Sequence, residues 1–112
     1  MTVFERILKK EIPAKIVYED EDVLAFHDVA PQAPIHVLVI PKQKYVDYGS
    51  MAKADTALCG RYFQKIAAVA KLLGLEEGGY RVVFNQGRDA QQSVMYLHAH
   101  ILGGRMLQWP PG

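Results

Sequence analysis

Residues 91–105 read Gln-Gln-Ser-Val-Met-Tyr-Leu-His-Ala-His-Ile-Leu-Gly-Gly-Arg, and the alternation from Tyr96 to Ile101 shapes both the fold and the chemistry. Side chains of an extended segment alternate between two faces. Tyr96, His98 and His100 therefore share one side, and Leu97, Ala99 and Ile101 the other. One face packs against a core, while the other presents two imidazoles about 6.5 to 7 Å apart along a strand. That spacing can span a bound phosphate or two corners of a metal's coordination shell, and imidazoles titrate near neutral pH. An ordinary half-exposed strand can also carry His-x-His, so the flanking residues must decide.

The chain has 112 residues, 50% hydrophobic and 22% charged. These values fit one soluble domain, 1–112, able to bury roughly two-thirds of its unfolded surface. With 13 basic and 12 acidic residues the net charge is +1, so no global field draws the protein onto nucleic acid or an anionic membrane. Any bound anion must be held locally. The single cysteine, Cys59, excludes an internal disulfide and a Cys-rich zinc site, is expected to be a buried inert thiol, and suits a reducing cytoplasm. The charged start, with Glu5, Arg6, Lys9 and Lys10, does not read as a basic n-region followed by an apolar h-region, and no apolar run of membrane-spanning length follows. Neither export nor a membrane span is expected.

Val3, Phe4, Ile7 and Leu8 recur at helical spacing, predicting a short N-terminal helix against a sheet that Pro13 cannot continue. Lys15–Tyr18 and Val23–His27 read as a hairpin whose acidic turn, Glu19 to Asp22, stands in water. Pro31 and Pro34 punctuate a loop before a third strand, Ile35–Ile40, stopped by Pro41. Lys42 to Lys53 reads as an irregular crossing with a turn at Gly49-Ser50 and room for a brief helical turn. Asp55 then caps one long helix along Leu58, Tyr62, Ile66, Val69, Ala70 and Leu73, ending at Gly74. Gly60 inside it suggests close packing, including packing between subunits. Tyr80–Asn85 forms another strand before a polar loop and the histidine strand. The sum is an α+β fold with about five strands and one main helix.

The loop Asn85 to Ser93 presents amides, a hydroxyl and backbone N–H groups near the imidazole face, groups that bind phosphate oxygens. Alone it describes most turns. His36, at the start of the third strand, is either a satisfied surface imidazole or a partner that orients another ring.

The segments Glu11 to Ala14, Ala25 to Asp28, Pro31 to His36, Ile40 to Lys42, Asn85 to Ser93 and His98 to Arg105 together resemble the histidine triad (HIT) family, and within it the Hint branch of nucleoside phosphoramidases. The tail Trp109 to Gly112 resembles a Hint tail. The resemblance implies a HIT-like fold with a five-stranded antiparallel sheet and a nucleotide-binding hydrolase acting on purine nucleoside phosphoramidates. The product is a nucleoside monophosphate such as AMP, released through a nucleotidyl-histidine intermediate. It implies His98 as nucleophile, with His100, His36 and Ser93 as further catalytic residues. His100 and Asn85 would bond the phosphate or ribose end, while Gln91, Gln92 and Ser93 belong to the nucleotide-binding loop. Gln92 and Ser93 would steady phosphate oxygens and the leaving group. Asp28 would accept from both ribose hydroxyls, and Ile12, Phe26 and Val29 would wall the base. No cofactor and no bound metal are implied. The partners implied are a purine nucleotide substrate and a second copy of the chain, paired through the main helix and Tyr80–Asn85, with Trp109 near the partner's site. Pairing there would cover an apolar edge strand.

The chain departs from the family pattern at Tyr96, which stands where the first triad histidine belongs. Tyrosine is a poor proton shuttle at neutral pH, although its backbone carbonyl can still hold the His98 ring. Reduced turnover is therefore expected, and the alternative function is a catalytically weakened nucleotide-binding scaffold or regulator. A third reading places His36, His98 and His100 around a divalent metal.

Overall fold

The computed structural model describes all residues, 1–112. Five strands, β1 (Ile16–Glu19), β2 (Val23–His27), β3 (Ile35–Pro41), β4 (Tyr80–Val83) and β5 (Ala99–Gly103), form one antiparallel sheet in the order β1-β2-β3-β5-β4. Three helices accompany them: α1 (Val3–Leu8), α2 (Tyr48–Ala54) and α3 (Thr56–Leu72). The expected α+β architecture is present.

Each helix begins where a side chain satisfies free backbone donors. Thr2 and Glu5 form a reciprocal capping box on α1. The Asp55 carboxylate accepts the Leu58 N–H at the start of α3. Gly74, at φ +77°, ends α3 in a left-handed turn in which the Leu75 N–H reaches the Ala70 carbonyl. The segment expected to cross irregularly contains α2, because the Asp47 carboxylate caps it through the Ser50 N–H and Met51 supplies one buried anchor.

Alternation on the central strands creates two unlike faces. Val23, Ala25, Val37, Val39, Ala99 and Ile101 meet Leu58, Tyr62, Ile66, Val69 and Ala70 of α3 in the larger core. Leu24, Phe26, Leu38 and Ile40 point the other way, toward Phe4 of α1 and Tyr96. Register places His100 opposite Leu38 on one side and Val83 on the other, so its ring belongs to the α1 face.

Four local expectations change. The acidic corner is not simply solvated: Lys65 of α3 lies 2.9 Å from Asp20 and 2.7 Å from Asp22, and Arg61 also binds Asp22. Hydrogen bonds from Tyr18 and Lys65 hold the Asp20 carboxyl far below the usual range against the opposing effect of burial. β4 stops at Val83, leaving Asn85 in the loop. β5 starts at Ala99, yet Tyr96 and Leu97 already belong to opposite cores, so the alternation extends beyond the paired segment. Cys59 is half-buried rather than buried, its Sγ 3.4 Å from the Met51 carbonyl.

Candidate active site

α1 is only six residues long and cannot cover its face of the sheet. The uncovered remainder is a cavity of about 310 Å³, walled by Val3, Phe4 and Ile7 from α1, Ile12 beyond it, and Phe26 and Leu38 from the sheet. Asp28, Ser93, His98 and His100 stand at its polar end. Its volume lies at the small-ligand end of the range for binding pockets. A wider recess of about 600 Å³ between Gly74–Arg81 and Gly104–Leu107 has no histidine or carboxylate in its lining.

The hydrogen bonds assign the imidazole protons. His98 Nδ1 lies 2.7 Å from the Tyr96 carbonyl. A carbonyl only accepts, so Nδ1 carries the hydrogen and Nε2 of the neutral ring keeps its lone pair. The backbone N–H of Gln32 donates to His36 Nδ1 at 3.0 Å, so the His36 proton sits on Nε2. That atom is 2.9 Å from His100 Nδ1 and 3.4 Å from Asp28 Oδ2. Donation to His100 Nδ1 leaves the His100 proton on Nε2, a buried atom without a hydrogen-bond partner in the protein. The site thus presents one ring with an available lone pair and another with an available N–H, their centroids 4.9 Å apart.

Burial favours the neutral rings of His100 and His36. Desolvation, reinforced by His98 and His36, lowers the His100 pKa to about 4. Desolvation also lowers that of His36, against the pull of Asp28. An unpartnered buried donor is unfavourable by about 1–3 kcal/mol, so an anionic oxygen arriving at His100 Nε2 relieves an existing penalty.

Tyr96 is 1% exposed. Its hydroxyl donates to the Pro41 carbonyl, with the Lys42 carbonyl at 3.3 Å. Burial, with a smaller effect from Glu5, pushes its pKa up to about 12. The hydroxyl therefore serves the β3 end, and the residue meets His98 through its carbonyl.

Of the residues singled out in the sequence, Ile12, Phe26, Asp28, Val29, Ser93, His98 and His100 come together around the cavity, Val29 fully exposed at its mouth. His36 lies beside an adjoining open groove. Asn85, Gln91 and Gln92 are outside the cavity lining. Gln92 braces the loop, accepting the Gly87 N–H and donating to the Val46 and Val94 carbonyls. Gln91 is exposed and left-handed at φ +58°.

Sequence reasoning missed Phe4, whose ring meets His98 edge-on at 5.0 Å. It also missed Gln32, whose contribution is a backbone N–H invisible in residue type. The apolar stripe of α1 was legible, but its position over the histidines was not.

The family described as HIT domain matches residues 9–107. A Zea mays protein named 14 kDa zinc-binding protein is 52% identical over 114 residues, covering 99% of this chain and 88% of that one. A HIT family hydrolase structure from Legionella pneumophila Philadelphia 1 superposes with TM-score 0.94 at 41% identity, covering all of both chains. A histidine triad nucleotide-binding protein from Candida albicans gives TM-score 0.83 at 29% identity, covering 98% of this chain and 83% of that one. Together, the sequence match through the histidine strand and the shared fold show that this chain belongs to the HIT domain family.

Proposed function

We propose that this protein is a nucleotide hydrolase of the Hint type, cleaving purine nucleoside phosphoramidates to the nucleoside monophosphate. The observation that carries this reading is the opposite polarity of the two Nε2 atoms at one end of an apolar cavity. His98 Nε2 attacks phosphorus, forming a P–N bond to the ring as the bond to the amine breaks. The developing positive charge on the imidazole is stabilised through Nδ1–H by the Tyr96 carbonyl. His100 Nε2–H bonds a phosphoryl oxygen and stabilises its charge. The leaving amine takes a proton from water at the open mouth, where Ser93 is exposed. Water then cleaves the nucleotidyl-His98 bond. The apolar walls fit a purine, and Asp28 at the polar end fits the ribose diol. Asn85, Gln91 and Gln92 serve by shaping the loop around the phosphate.

Tyr96 does not argue for a scaffold in this reading, because its carbonyl supplies the contact to His98. Mass spectrometry of protein quenched during turnover of adenosine phosphoramidate tests the proposal. A nucleotidyl adduct on His98 is expected, with activity lost in His98→Ala. Turnover that persists in that variant overturns the mechanism.

The name of the maize relative makes a metal worth weighing, since Asp28, His36 and His100 offer atoms within 4.8 Å of one another. The donor set fits poorly. His36 already accepts the Gln32 N–H at Nδ1, so Nε2 carries its hydrogen and has no lone pair to coordinate. The same atoms suit a hydrogen-bond chain.

For assembly, we propose a homodimer across β4 and α3. β4 is a sheet edge on which Tyr80 and Val82 are exposed. On α3, Phe63 is 73% exposed beside the open surface of Gly60. Phe63→Arg is expected to yield monomers in analytical ultracentrifugation; an unchanged oligomeric state removes α3 from the interface.

A further inference from the structure

The proton order of the three histidines starts at a loop rather than at a histidine. The segment between β2 and β3 folds back on itself. The Asp28 N–H donates to the His36 carbonyl at 2.9 Å, Asp28 Oδ1 accepts the Ala30 N–H, and Gln32 Nε2 donates to the Ala30 carbonyl. Within that loop, the Gln32 N–H points at His36 Nδ1. The loop also has an external hold. Arg105, just beyond β5 and 73 residues from Gln32, donates from a terminal guanidinium nitrogen to the Gln32 carbonyl at 2.9 Å, and its other terminal nitrogen bonds the Met106 carbonyl.

The residues before Arg105 let the two segments approach. A Cβ on Gly104 would lie 2.9 Å from Pro34 Cβ, and its φ of +92° favours glycine. A Cβ on Gly103 would lie 2.7 Å from Leu75. Gly103-Gly104-Arg105 therefore joins the end of the histidine strand to the loop that faces His36.

We propose that Arg105 is a positioning residue: by holding the Gln32 carbonyl it keeps the Gln32 N–H on His36 Nδ1, and so determines which nitrogen of His100 presents a proton to the phosphoryl group. Its catalytic consequence rests on the function proposed above, but the tautomer order does not. The physical basis is that the partner of one imidazole nitrogen decides the hydrogen on the other. Without the Gln32 donor, His36 can carry its proton on Nδ1 and offer a lone pair from Nε2. His100 Nδ1 would then have to donate, its Nε2 would become an acceptor, and two lone pairs would face the substrate anion. Besides His100, the ionisable group facing His36 is Asp28, 3.4 Å away. The Asp28 carboxylate, 3.4 Å from His36 Nε2, favours a hydrogen on that atom electrostatically, so it reinforces the same order.

The test uses histidine-selective ¹⁵N labelling of the full chain and long-range ¹H–¹⁵N spectra above pH 7. In wild-type protein, His36 Nδ1 is expected to give a pyridine-type signal and Nε2 a pyrrole-type one, with His100 showing the same order. Arg105→Ala is expected to move both nitrogens of His36 toward intermediate shifts, and Arg105→Lys, which retains a cationic donor, to restore much of the wild-type pattern. On the phosphoramidate, Arg105→Ala should lower kcat by about tenfold with little change in KM, as for a lost charge-stabilising contact. Unchanged His36 signals in Arg105→Ala, or a wild-type His36 protonated on Nδ1, overturn the proposal. If wild-type protein shows no phosphoramidase activity while the ring signals respond as stated, the functional reading fails and this inference stands.

Discussion

The two faces of the sheet are built from alternate residues of the same strands and differ in how completely they are covered. On one, the 17-residue α3 closes a core of fourteen buried residues whose only polar side-chain atom is the Tyr62 hydroxyl, donated to the Val39 carbonyl at 2.7 Å. On the other, six-residue α1 gathers a cluster of six and leaves a cavity where two imidazoles meet apolar walls. Burial on the first face provides stability; incomplete burial on the second provides room for a ligand while desolvation still favours the neutral form of His100. The covering helix separates these roles.

The sharpest way to break this contrast is to truncate one residue on each face. Ile101, fully buried under α3, should lose about 2–4 kcal/mol on replacement by alanine, read by urea denaturation. Ile7, half-buried at the cavity wall, should lose much less, while Ile7→Ala raises KM for the nucleotide. Equal losses of stability would show that the α1 face is as closed as its opposite.

Acid should expose the second face before the first. For His100 the folded pKa is about 4, against an ordinary value of 6.5, so between these values the unfolded chain binds more protons and stability falls as pH drops. Linkage over that gap sets an upper limit of about 3 kcal/mol, reduced by solvent screening at a ring that is only partly buried. His100→Asn should flatten that part of the pH–Tm curve, and an unaltered curve would mean that the ring is solvated.

Asp20 and Asp22 act in a lower window. Their folded pKa values lie below the ordinary ones through partners that include Lys65, so their contribution is present above the ordinary carboxylate range and disappears in acid. Lys65→Met should lower Tm at neutral pH and shrink the further fall below pH 4, with both effects weaker at high salt. The smallest effect is expected at Tyr96. Tyr96→Phe removes the bond to Pro41 at about 1 kcal/mol but keeps the carbonyl that orients His98, so stability drops slightly and kcat holds. A large fall in kcat would give the hydroxyl a place in the proton chain.

Much of the fold was legible because local physics dictates it. Asp55 and Gly74 bracket α3, and alternation through Leu97, His98 and Ala99 assigned faces even before β5 begins. α2 was read as no more than a brief helical turn in an irregular crossing, because its glycine and serine resemble a turn until the Asp47 cap and buried Met51 are seen together. For the candidate site, residue types and spacing marked His98, His100 and Asp28, while α1 entered as an apolar stripe without a place.

The sequence by itself determined that the imidazoles share one side of the sheet, because side chains alternate faces with period two wherever the backbone is extended. The Tyr96 carbonyl that holds His98 lies two residues away and was legible in the sequence, whereas tertiary structure alone decided which nitrogens of His36 and His100 hold protons, because that depends on a Gln32 backbone N–H and an Arg105 side chain brought together from distant positions. It also decided that the Tyr96 hydroxyl faces Pro41, since direction in a packed interior is set by the partners that can accept the bond.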